Sequence, residues 1–186
     1  MDQVTIGDPR DLQTDVGPVI DGGALKELQS HIDFLKENAR SIYQAETPKS
    51  NGYFIPPTLC EIDSPKLLKE EVFGPILHVV RFKAKDLDQV IESINATGYG
   101  LTLGVHSRIN ETINQVVSKA RAGNIYVNRN TIGAVVGTQP FGGEGLSGTG
   151  PKAGGPHYLH RFAVERTVSI DTTASGGNAS LLTLED

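Results

Sequence analysis

The sequence predicts an α/β chain organised around a parallel-sheet βαβαβ core, and three observations carry that expectation. Strand-like apolar runs alternate with amphipathic helical stretches between residues 76 and 127, joined by short connections. Such alternation calls for parallel pairing through right-handed crossovers. A loop of unusual composition leaves the last of these strands, for nine of the 23 residues from Gly133 to Gly155 are glycine. The bulk composition is that of an ordinary globule, 38% hydrophobic and 21% charged over 186 residues, which suits one domain or a domain with a tail.

Residues 24 to 45 place apolar side chains at 25, 28, 32, 35, 39 and 42, alternating steps of three and four. That spacing predicts an amphipathic helix, with Lys26, Lys36, Glu37 and Arg40 off the stripe and Asp21 with two glycines at its start. A coiled coil shares the spacing, but the pattern lasts under three heptads, so a helix packed on its own domain reads better. Residues 47 to 65 are rich in turn formers, with a short strand over Thr58 to Ile62. Ile76 to Phe82 reads as a buried strand. Asp86, with Gln89 three residues later, spells a capping box for a helix through Val90, Ile91 and Ile94, closed by Gly98. Leu101 to His106 is a second strand. Asn110 then caps a helix carrying Ile113, Val116, Val117 and Ala120, which ends at Gly123 before a third strand, Ile125 to Val127. Phe162 to Thr172 alternates like a closing strand, and SGGNASLLTLED reads as a tail.

Glycine at the density of the 133–155 loop weakens helix and strand alike, because the unfolded chain has more entropy to lose. Val135, Val136, Phe141 and Leu146 distinguish the segment from a polar, flexible linker. The expectation is an ordered loop wrapping a pocket beyond the carboxyl ends of the strands, where ligands sit in open parallel sheets.

Composition excludes several classes. A formal charge of −5 gives no basic footprint for nucleic acid. The apolar runs fall far short of the ~20 residues that span a bilayer. The opening MDQVTIGDPR has no apolar signal core. The one cysteine, Cys60, cannot form an internal disulfide, which suits a reducing compartment and points to the cytoplasm. The stretch VTIGDPRDLQTDVGP resembles an internal connection, so a piece of a longer protein is expected.

Gly143-Glu-Gly145-Leu-Ser-Gly148 spells the G-x-G-x-x-G of dinucleotide sites, which needs a helix N-terminus immediately after it. The following Thr-Gly-Pro-Lys-Ala-Gly-Gly-Pro can hardly hold one, so the motif reads as a decoy. His157 and His160 are three apart without further ligands at metal spacing and read as ordinary histidines. Cys60 has no cation cluster or helix start near it in sequence and reads as a buried thiol rather than a nucleophile. Glu70-Glu71 before Val72-Phe73-Gly74-Pro75 stays open between a solvated turn and a carboxylate for sugar hydroxyls beside an aromatic brace.

Taken together, EEVFGP (70–75), its spacing to NIYVNRN (124–130) and PFGGEGLSG (140–148) resemble the aldehyde dehydrogenase superfamily. GAVVGTQPFGG with SGTGPKAGGPHYLHRF is similar to the L-glutamate-γ-semialdehyde (Δ1-pyrroline-5-carboxylate) dehydrogenases, and TTASGGNASLLTL to that portion of the bifunctional proline utilization A (PutA) flavoproteins. The resemblance implies NAD-dependent oxidation of the semialdehyde to L-glutamate in proline catabolism. Residues 1–162 would be the C-terminal part of the catalytic domain, and 163–186 an oligomerisation strand and tail. It carries over Glu71 as the carboxylate holding the nicotinamide ribose and Phe73 as the aromatic beside it. Gly133 and Ala134 match the loop whose amides grip the substrate α-carboxylate, which suits the anion nest that consecutive N–H groups form. Phe141 matches the ring on the substrate's aliphatic part. The family's nucleophilic cysteine motif is absent and Cys60 does not fall at its position, so no catalytic residue and no metal ligand is assigned. The chain alone is expected to be inactive. The implied partners are the rest of the dehydrogenase, a proline dehydrogenase domain and further copies in a homo-oligomer. Two rivals remain at this level: a non-catalytic assembly module, and part of an aldehyde dehydrogenase with another substrate. A stand-alone nucleotide-binding domain would need the helix rejected above.

Overall fold

The computed structural model describes residues 1, 3–47, 52–132, 135 and 138–170. Helix α1 (Gly22–Asn38) begins where Asp21 accepts a hydrogen bond from the Ala24 amide at 2.8 Å, satisfying one of the free donors of the first turn. Its stripe buries Leu28, Ile32 and Leu35. The helix is shorter than its apolar periodicity implies. Ala39 turns extended (ψ 152°), and strand β1 (Ser41–Gln44) follows. Ile42 thus reaches the core from a strand, packing against both buried clusters beside α1. The β-branched and aromatic pair Ile42-Tyr43 suits that pleated, half-buried surface.

Strand β2 (Thr58–Glu61) pairs antiparallel with β1 and parallel with β3 (Ile76–Val79), making a three-stranded sheet in the order β1-β2-β3. Cys60, Ile62 and Leu35 form one buried cluster, and Leu28, Ile32 and Ile55 another. Helix α2 (Leu87–Asn95) is preceded by a 3-10 turn, Ala84–Asp86. Asp86 occupies the cap position with φ −99° and ψ 13°, and its side chain makes no capping bond, so the capping box does not form. Gly98, at φ +77°, turns the chain after the helix, but two residues past the Ala96 cap rather than directly after it.

Short strand β4 (Tyr99–Gly100) leads into β5 (Thr102–Val105), and helix α3 (Asn110–Lys119) carries the chain to β6 (Asn124–Val127). Asn110 is the first helical residue rather than the cap. Ile109 holds that place with no side-chain bond, its amide donating to Ser107 Oγ at 3.1 Å. Strands β5 and β6 pair in parallel around a core of Ile91, Val105 and Val116. The parallel pairing is divided: β3 belongs to the first sheet, while β5 and β6 form a second. Asn128, at φ +53°, ends β6, and its carboxamide bonds both the amide and the carbonyl of Ser107 (2.9 and 3.0 Å).

Strand β7 (Glu144–Gly145) pairs antiparallel with β4. It lies inside the G-x-G-x-x-G run, and turns and bends follow Gly148 through Gly155. The glycines there serve close packing. A Cβ on Gly145 would sit 2.4 Å from the Gly98 carbonyl oxygen, and one on Gly148 2.1 Å from that of Gly143. Over the described residues of the expected closing strand no ladder is formed. Tyr158–Phe162 is a 3-10 turn, and residues 163–170 run exposed without a ladder. The rest of that expected strand and the tail lie outside the described residues. Among those residues no helix is long and apolar enough to cross a membrane.

Candidate functional site

A groove of about 1080 Å³ lies between α1 and the segment 67–74. The segment seats closely on the helix, since a Cβ on Gly74 would meet Leu28 at 2.6 Å. A tight turn follows, with the Gly74 amide on the Val72 carbonyl (3.0 Å) and the Ile76 amide on that of Gly74 (2.8 Å). This turn displays Glu71 and Phe73 at the groove, where His31, Phe34 and Glu70 also line the wall. Phe73 is 85% exposed, a high value for a ring that size. A free carboxylate beside an uncovered aromatic face can accept hydrogen bonds from a diol while bracing a flat ring.

His31 and His78 meet Nε2 to Nε2 at 2.9 Å, tying α1 to β3 at the edge of this groove. Burial lowers the pKa of both; Glu70 opposes the shift at His31, and His31 adds to it at His78. Sequence reading missed this pair. A bond across 47 residues leaves no local pattern.

Gly133 and Ala134 lie outside the described residues. Phe141 is partly buried in the glycine-rich loop, where its backbone bridges Ala153 (3.0 and 2.9 Å), and it does not line the groove. Cys60 is fully buried in β2, with its thiol 3.7 Å from the Leu77 carbonyl and its pKa raised by burial. It is placed as a core thiol. His157 and His160 stand with ring centroids 5.7 Å apart, and among the described residues no group of three potential ligands could hold a metal.

The family model described as aldehyde dehydrogenase matches residues 1–168. The chain belongs to the aldehyde dehydrogenase family. Among curated relatives of this aldehyde dehydrogenase chain, the bifunctional protein PutA of Klebsiella aerogenes is 56% identical over 173 residues, 89% of the chain. A 1-pyrroline-5-carboxylate dehydrogenase of Geobacillus is 42% identical over 90% of the chain. The chain spans 13% of the first relative's length and 32% of the second's. Among solved structures, proline utilization A from Bradyrhizobium japonicum superposes with a TM-score of 0.85 at 56% identity, covering 94% of this chain and 18% of that one. The Thermus 1-pyrroline-5-carboxylate dehydrogenase with bound NAD follows at 0.78 and 37%, covering 86% of this chain and 31% of its own.

Proposed function

We propose that this chain serves an NAD-dependent dehydrogenase that oxidises L-glutamate γ-semialdehyde to L-glutamate in proline catabolism. The observation that carries the reading is the joint display of Glu71 and Phe73 at one groove, in a chain whose relatives are PutA and 1-pyrroline-5-carboxylate dehydrogenases. The groove residues fit the nicotinamide end of the cofactor. Glu71 would accept the ribose hydroxyls, and the uncovered ring of Phe73 would lie beside the nicotinamide. When bound, NAD+ supplies the hydride acceptor. The role of this chain is then to orient: a ribose held at one angle fixes the ring against the aldehyde carbon. Gly133, Ala134 and Phe141 would hold the substrate's carboxylate and aliphatic part.

The nucleophile would come from the remainder of a longer enzyme, together with a proline dehydrogenase domain as in the bifunctional relatives. A homo-oligomer in the cytoplasm belongs to the same reading. Val164, Val168 and Ile170 alternate along an exposed segment suited to another subunit's sheet edge.

The test is Glu71→Gln in the full-length dehydrogenase carrying this chain. Losing the anionic acceptor is expected to slow single-turnover hydride transfer about tenfold or more, with little change in semialdehyde affinity. An unchanged single-turnover rate removes Glu71 from the cofactor site.

A further inference from the structure

The glycine-rich loop is held at one point by two side chains that carry no role in the reading above. Asn124, the first residue of β6, spends its whole carboxamide on that loop. Its Nδ2 donates to the Pro140 carbonyl at 3.0 Å, and its Oδ1 accepts from the Gly142 amide at 3.2 Å. The residues on either side of Phe141 are therefore gripped by a single side chain. Phe141 itself exchanges both backbone bonds with Ala153, so Pro140 O, Phe141 N and O, and Gly142 N are all paired.

Lys152 locks the arrangement. Its ammonium donates to Asn124 Oδ1 at 3.2 Å and to the Gly123 carbonyl. The stem crosses the loop closely, with the Lys152 Cγ 3.4 Å from where a Cβ on Gly142 would stand. Both side chains are partly buried. Asparagine is a poor strand former, so its presence at the head of β6 is accounted for by these bonds rather than by propensity. The partly buried ammonium finds two oxygen acceptors at the head of β6, so Lys152 acts as a strut that ties its end of the loop to that strand.

We propose that Asn124 and Lys152 are positioning residues for Phe141, and that through its ring they set the affinity for the semialdehyde. This rests on the proposed function, in which Phe141 packs on the substrate's aliphatic part. Displacing the ring weakens binding of ground and transition states together, so the loss falls on KM rather than kcat.

A double-mutant cycle in the full-length dehydrogenase tests it. Phe141→Ala is measured first and is expected to raise KM for the semialdehyde. Should it leave KM unaltered, Phe141 leaves the substrate site and this proposal goes with it. Given that rise, Lys152→Met is expected to raise the same KM about tenfold, with kcat and KM for NAD+ within about twofold. In the Phe141→Ala background the added effect of Lys152→Met is expected to shrink below about twofold, since both act through one ring. Additive effects, or a fall in kcat at constant KM, overturn the positioning role while leaving the substrate reading intact. If Lys152→Met fails to fold, Lys152→Gln, which keeps a donor of shorter reach, is expected to show a smaller rise in KM. Backbone hydrogen exchange over residues 139–143 of the variant enzyme adds a readout at the clamp. Faster exchange confined to that peptide supports the strut, and unchanged exchange overturns it.

Discussion

Two imidazoles 2.9 Å apart cannot both be protonated comfortably, and the His31–His78 contact is of this kind. One Nε2–H donates to the other ring's lone pair, an arrangement that needs at least one neutral partner. Burial disfavours the charged form of each, and the mutual proximity disfavours it further at His78. Both folded pKa values therefore lie below the ordinary 6.5. The unfolded chain binds more protons than the folded one, so stability rises with pH across this window. The contribution is complete above the ordinary histidine range and is lost as pH falls through 6.5 toward the lowered values. The nearby Glu70 carboxylate blunts the effect at His31 without reversing it. Thermal unfolding of the chain from about pH 7.5 to 5.5 is expected to show a falling midpoint, and His78→Gln a shallower slope. Parallel slopes for the two proteins would show that the pair does not titrate as argued.

At the scale of elements, the turn from α3 into β6 depends on Gly123. A Cβ there would lie 1.9 Å from the Gly142 carbonyl oxygen, which is backbone and cannot rotate away. Gly123→Ala should therefore push the glycine-rich loop off β6, at a cost of about 1–3 kcal/mol or more. Gly154, at φ +71° with open space around it, offers the comparison, because alanine there meets only backbone strain of about 1–2 kcal/mol. Urea midpoints of the two variants check the order, and a Gly154→Ala loss as large as that of Gly123→Ala would contradict it. The same elements show what local sequence carries. Three helices were legible because their apolar stripes repeat within a few residues, and Asp21 capped α1 as its type suggests. The stripe over-ran at Ile42 because a strand residue facing the same core also falls on a helical spacing. Asp86 holds the cap position but its side chain makes no capping bond, and Asn110 falls one residue inside its helix. The split between the β2–β3 and β5–β6 ladders was invisible, since pairing choices are made across space. Glu71 and Phe73, which line one groove, could be singled out because EEVFGP is a contiguous motif. Asn124 and Lys152 could not, because their bonds join residues 16 to 29 apart.

Over the whole molecule, chemistry and architecture separate. On the proposed reading the groove would receive and orient a cofactor end, yet the only cysteine in the sequence, Cys60, is sealed in β2 against α1. Aldehyde oxidation by covalent catalysis needs an accessible thiolate. Cys60 lacks both properties, being fully buried with its pKa pushed up by that burial. Its structural role shows in its neighbours, Leu35 and Ile62, which form one cluster with it. The 186-residue chain, mixed with NAD+ and glutamate semialdehyde, is therefore expected to produce no NADH above the buffer rate. In the same sample iodoacetamide should label Cys60 only when denaturant opens the core, since exposure and ionisation limit the reaction together. The two measurements constrain each other. Absence of turnover with a freely labelled Cys60 would mean that the sheet is open and that inactivity has another cause. Enzyme-like NADH production from a chain whose Cys60 resists labelling would mean that the oxidation proceeds without a cysteine, and the division of labour between this chain and the rest of the enzyme would have to be redrawn.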